Sequence, residues 1–132
     1  MISVFPLNHN ELKTLKILLV EDNEDEAELI QELFVESYRI PHLLITHVDC
    51  LNQAQAIVKK ERFDVILLDL SLPDSQGFDT VFQMQEYSLS LPIVVLTGYN
   101  DEQLALQLIQ AGVQDYLIKT KITREVLIRS IR

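Results

Sequence analysis

Several polar residues of this chain stand directly behind short, nearly pure aliphatic runs, where a side chain is held by a buried element and still reaches solvent. Residues 17–20 lead into Glu21 and Asp22, residues 65–68 into Asp69, residues 93–96 into Thr97, and residues 116–118 into Lys119. Three carboxylates, a hydroxyl and an ammonium are the parts needed to accept a phosphoryl group and hold its charge. Carboxylates brought close together repel and raise one another's pKa values unless a cation sits between them. A small set of oxygen-only ligands favours Mg²⁺ retaining several of its waters over Ca²⁺ in a full protein cage. Such an ion leaves positions open for phosphoryl oxygens, and Thr97 and Lys119 can hold the remaining ones. Asp69, between the acidic pair and the Thr and Lys, is the expected nucleophile, forming an aspartyl phosphate.

Each residue has a plainer reading when taken singly. Asp69 can be a turn residue, Thr97 a strand former, Lys119 a solvated charge and Tyr116 an aromatic of the core. In the acidic stretch of residues 21–28, Glu24, Asp25, Glu26 and Glu28 need no role beyond matching the positive end of a helix dipole. The chemical reading therefore depends on a fold that brings the run ends together.

The runs themselves predict such a fold. Residues 17–20, 43–45, 65–68, 93–96 and, more weakly, 116–118 are apolar without alternation, as strands are when both faces of a parallel sheet are covered. Helical stripes lie between and after them: Ala27, Ile30, Leu33 and Phe34; Leu51, Ala54 and Val58; Phe78, Val81 and Phe82; Leu104, Leu108 and Ala111; Leu127, Ile128 and Ile131. Asn23 with Glu26, and Asn100 with Gln103, fit capping boxes, and Gly112 fits a helix C-cap. The expected class is α/β, a single doubly wound (βα)5 flavodoxin-like domain with a parallel five-stranded sheet in the order 2-1-3-4-5. Ligands of such sheets bind at the carboxyl ends of the strands, and strands one, three and four would be neighbours.

Four stretches in this order and spacing, KILLVED (16–22), VILLDLSLPDSQG (65–77), VVLTG (94–98) and DYLIK (115–119), resemble the receiver domain of two-component response regulators. The resemblance covers nearly the whole chain from Leu15 onward. It implies that Asp69 is the phosphoacceptor, that Asp22 and Asp69 bind Mg²⁺ with the Ser71 main-chain carbonyl, and that Glu21 acts on the metal through water. It implies further that Thr97 follows the phosphoryl group, that Lys119 pairs with it, and that Tyr116 is the switch aromatic. The phosphodonor would be a histidine kinase or phosphotransfer protein. The face around the fourth helix, fifth strand and fifth helix would be read by a downstream domain or a second copy, with Leu106 a candidate contact.

One departure concerns the loop after Lys119, where the family usually has proline and this chain has Thr120. A cis bond without proline costs roughly 3 kcal/mol, so a trans bond is expected there. Tyr99 and Ser71 flank the expected entry to the acyl phosphate, and the bulk of Tyr99 is expected to hinder the attacking water.

The length of 132 residues suits one domain, taken as residues 15–132 after an N-terminal extension of residues 1–14. With 20 acidic and 11 basic residues the net charge is -9, which disfavours direct contact with nucleic acid or anionic membranes. The single Cys50 suits a reducing compartment, and His9, His42 and His47 lack metal-site spacing, so a cytoplasmic location is expected. No leader or membrane span is legible, and the chain is expected to be a stand-alone receiver or part of a larger protein.

Other functions fit less well. A haloacid-dehalogenase-like phosphotransferase needs a second aspartate two residues beyond its nucleophile, where this chain has Ser71. A calcium-binding EF-hand loop starting at Asp22 would need glycine at Ala27 and glutamate at Leu33. A flavin site would need a loop rich in small and hydroxyl residues.

Overall fold

In the computed structural model, which describes residues 14–35, 42–88, 90–98 and 100–131, the aliphatic runs become the strands of one sheet. These are β1 (Leu15–Val20), β2 (Leu43–Val48), β3 (Val65–Asp69), β4 (Ile93–Thr97) and β5 (Asp115–Ile118). They lie in the order β2-β1-β3-β4-β5, and every pairing is parallel. This is the expected flavodoxin-like α/β topology. The helices are α1 (Glu24–Val35), α2 (Leu51–Val58), α3 (Asp79–Gln85), α4 (Glu102–Gln110) and α5 (Arg124–Ser130).

Successive strand residues point to opposite faces, and here both faces are covered. Ile17, Leu19, Val65, Leu67, Val94 and Leu96 pack with Ala27, Ile30 and Phe34 of α1 and Leu127 of α5. Leu18, Val20, Ile66, Leu68 and Val95 pack with Leu51 and Ala54 of α2, Val81 and Met84 of α3, and Leu108 of α4. Unbroken aliphatic runs are therefore what the central strands β1, β3 and β4 require, whereas edge strand β2 carries Thr46 and His47 and leaves Leu44 51% exposed. Each fully buried Leu or Ile contributes about 1.5–3 kcal/mol of transfer free energy.

Local details depart from expectation at three points. In α3 the inward positions belong to Thr80, Val81 and Met84, while Phe82 is 50% exposed. Phe82 packs edge to face on Phe78, with centroids 4.8 Å apart, while Thr80, Val81 and Met84 take up the inward side of this seven-residue helix. The cap of α4 is Asp101, whose carboxylate accepts from the N–H groups of Gln103 and Leu104, so Asn100 forms no box with Gln103. At α1 only half the expected box is present. Glu26 N donates to Asn23 Oδ1, but Asn23 N donates to Glu21 Oε2 instead of to Glu26.

A small hairpin after β3 was not expected: Ser71–Leu72 pairs antiparallel with Ser75–Gln76. Its turn residue Asp74 accepts from the N–H groups of Leu51 and Asn52, both at 2.8 Å, and so caps α2, where Cys50 makes no side-chain cap. Gly77 leaves the hairpin at φ 69°, a conformation that suits a residue without Cβ. Gly112, at φ 90°, links α4 to β5 as expected.

Among the described residues no peptide bond is cis, in line with the expectation for Lys119 and Thr120, and Lys119–Lys121 forms a 3₁₀ turn. Among them, too, no helix is long and apolar enough to cross a membrane. Tyr99 and the extension, apart from Thr14, lie outside the described residues.

Candidate functional site

The sheet register sets the site. Val20 pairs with Leu68 and Asp69 with Leu96, so the ends of β1, β3 and β4 lie side by side at one edge. Glu21 is 0%, Asp69 2% and Thr97 3% exposed, while Asp22 is exposed. One carboxylate oxygen from each of Glu21, Asp22 and Asp69 lies within 4.8 Å of the others.

Glu21 is held from both sides of its backbone by β2. Its N–H donates to Val48 O at 3.0 Å, and its carbonyl accepts from His47 Nε2 at 2.6 Å. A carbonyl can only accept, so Nε2 carries the proton. The sequence assigns His47 no part in the site; its place opposite Leu19 on the neighbouring strand emerges only with the pairing.

Lys119 enters from the end of β5. Its Nζ lies 2.7 Å from Glu21 Oε1, 2.5 Å from Glu26 Oε2 and 3.2 Å from Asp69 Oδ2. The contact with Glu21 is one of charge without hydrogen-bond alignment, and Oε1 is buried with no hydrogen-bond partner among the described residues. Burial, then the adjacent Asp69, push Glu21 up to about 8 against the pull of Lys119. For Lys119 burial works downward, but Glu21, Glu26 and Asp69 outweigh it and hold the ammonium above its ordinary pKa. Glu26 is held below the usual carboxylate range by Lys119. One ammonium thus does not balance the carboxylates around it. A buried Glu21 oxygen that is ion-paired but has no hydrogen-bond partner among the described residues, beside an oxygen-only donor set, fits a hydrated divalent cation.

Asp69, Ser71, Gln76, Thr97, Gly98 and Leu104 border an open cleft of about 320 Å³. Ser71 N donates to Asp69 Oδ1 at 3.2 Å, and Ser71 Oγ to Gln76 Oε1 at 3.3 Å. The structure therefore gathers Glu21, Asp22, Asp69, Ser71, Thr97 and Lys119 at one edge. Tyr116 sits half-buried on β5, opposite Val95 and against the core beneath α4. Residues not foreseen here are Glu26, His47, Gln76 and Leu104; only Glu26 carried a signal, its acidic type one helical turn beyond Asp22.

Comparison with known proteins agrees with this geometry. The family model described as the response regulator receiver domain matches residues 17–132. The response regulator SaeR of Staphylococcus epidermidis is 27% identical over 115 residues, covering 86% of this chain and 48% of its own length. The transcriptional regulatory protein KdpE of Staphylococcus aureus is 33% identical over 104 residues, covering 79% and 43%. The chain thus spans about half the length of these curated relatives.

Among solved structures, the signal receiver domain of a LuxO repressor protein from Vibrio parahaemolyticus superposes with a TM-score of 0.78 at 28% identity, covering 90% of this chain and 88% of that one. The receiver domain of a sensor histidine kinase from Pseudomonas aeruginosa, which carries a magnesium ion coordinated in its active-site cleft, gives 0.73 at 30% identity, covering 90% and 95%. None of these relatives supports the dehalogenase-like alternative. With the match running through every strand and helix of the sheet, this chain belongs to the response regulator receiver domains of two-component signal transduction.

Proposed function

We propose that Asp69 is the phosphoacceptor of this receiver and that its phosphorylation switches a partner-binding face. The observation that carries the reading is the placement of Asp69: buried, one oxygen 3.2 Å from Lys119 Nζ, within 4.8 Å of Glu21 and Asp22, and bordering the cleft that also holds Thr97. An Asp69 carboxylate oxygen attacks the phosphorus of a phosphohistidine on a histidine kinase or phosphotransfer protein. The new O–P bond forms as the N–P bond breaks, and that bond's electron pair returns to the imidazole nitrogen.

Asp22, Asp69 and the Ser71 carbonyl would hold Mg²⁺, with Glu21 acting through water. The bound ion neutralises charge on the phosphoryl oxygens. Magnesium in the cleft of the Pseudomonas receiver supports that choice. Lys119 pairs with one phosphoryl oxygen and the Thr97 hydroxyl donates to another. Tyr116 then turns toward the position Thr97 leaves, and the face of α4, β5 and α5 changes for a downstream domain or a second copy. Leu106 and Ile109 of α4, 61% and 60% exposed, belong to that face.

The only chemistry of the chain is then Mg²⁺-dependent self-phosphorylation and slow hydrolysis, in which water attacks phosphorus and the Asp69 carboxylate leaves. The domain is residues 15–132 with residues 1–14 as an extension. A cytoplasmic location fits a histidine-kinase partner and the single Cys50, which has no second cysteine in this chain to pair with. Incubation with Mg²⁺ and acetyl phosphate should add one phosphoryl group to the intact mass. Absence of that gain, or its persistence in Asp69→Asn, overturns the reading.

A further inference from the structure

The closest contact of Lys119 is not with the proposed phosphoacceptor. Nζ is 2.5 Å from Glu26 Oε2 and 3.2 Å from Asp69 Oδ2. Glu26 stands in the first turn of α1, outside the acidic trio. Its side chain is 42% exposed, so burial does not force the pairing. Lys119 also does not border the cleft of Asp69 and Thr97; it lines, with Glu26, Leu29, Leu33 and Ile122, a separate groove of about 180 Å³. The ammonium thus sits closer to the α1 carboxylate than to Asp69, while within reach of both.

We propose, resting on Asp69 as phosphoacceptor, that Glu26 is a positioning residue that competes with the phosphoryl group for Lys119 and so shortens the phosphorylated lifetime. One ammonium has three anionic claimants, Glu26 at 2.5 Å, Glu21 at 2.7 Å and Asp69 at 3.2 Å, and of these Glu26 alone lies outside the acidic trio. Contact with a phosphoryl oxygen on Asp69 requires Nζ to give up or share its bond to Glu26, which weakens the phosphorylated state relative to a chain without that carboxylate. The competition is one of charge, so it vanishes in Glu26→Gln, remains in Glu26→Asp, and has no object without the ammonium.

The test uses the full chain with Mg²⁺. Affinity for beryllofluoride, a phosphoryl mimic, and the decay of the acyl phosphate by intact mass are measured for wild type, Glu26→Gln and Glu26→Asp, and for Lys119→Met with and without Glu26→Gln. Glu26→Gln should tighten beryllofluoride and slow decay by about two- to fivefold, the range for a half-exposed ion pair. Glu26→Asp should return toward wild type, and Glu26→Gln should change nothing in the Lys119→Met background. Without metal, the Lys119 Nζ resonance should move in Glu26→Gln. A wild-type chain that accepts both probes, with Glu26→Gln matching it or acting equally without Lys119, overturns this inference alone. A wild-type chain that accepts neither overturns the Asp69 reading with it.

Discussion

His47 Nε2 donates a 2.6 Å hydrogen bond to the main-chain carbonyl of Glu21, so the edge strand β2 holds the acidic corner from behind. A half-buried hydrogen bond of this kind is worth about 1 kcal/mol. His47→Ala should lower stability by roughly that amount in urea unfolding. It should also weaken Mg²⁺ binding severalfold by calorimetry, because the support of a ligand set tunes its affinity.

Asp22 differs from its neighbours in the trio because it is exposed, which separates metal binding from folding. Asp22→Asn should leave the unfolding free energy within about 0.5 kcal/mol of wild type. Its Mg²⁺ affinity should fall by at least about tenfold. Equal Mg²⁺ titrations of the two proteins would contradict the assignment.

Thr97 is buried at the end of β4 and paired with Ile118. Thr97→Val keeps the shape and removes the hydroxyl. Asp69 should still gain a phosphoryl group by mass, while the amide resonances of Tyr116 and α4 should no longer move on phosphorylation. Unaltered movement in the variant would remove Thr97 from the switch.

Asp74 holds the start of α2 from the hairpin, accepting from Leu51 and Asn52. Burial raises its pKa somewhat, but those N–H groups outweigh it and hold the carboxyl below its ordinary value of 3.8. A depressed carboxylate adds stability above its unfolded pKa, and that part is lost as pH falls through the folded value. Asp74→Ala should therefore cost about 1 kcal/mol at neutral pH. The difference from wild type should shrink below about pH 4, which paired thermal melts would show.

The sequence by itself determined the sheet and which residue types stand at its carboxyl edge. Strands buried on both faces must be unbroken aliphatic runs, and the residue after each run must emerge at the carboxyl edge, so Glu21, Asp22, Asp69, Thr97 and Lys119 were legible from order and spacing. Helix faces were legible where the stripe spans several turns, as in α1, and less so in α3, whose seven residues let Phe82 fall outside. What only the tertiary structure decided is who partners whom across long separations. Lys119 meets Glu26 across 93 positions, His47 meets Glu21 across 26, and Asp74 reaches Leu51 across 23. In sequence these residues carry only local meanings, as dipole match, isolated histidine and turn former. Their partners come from sheet order, register and helix placement, which sum over the whole core, so no window of neighbouring residues holds the information.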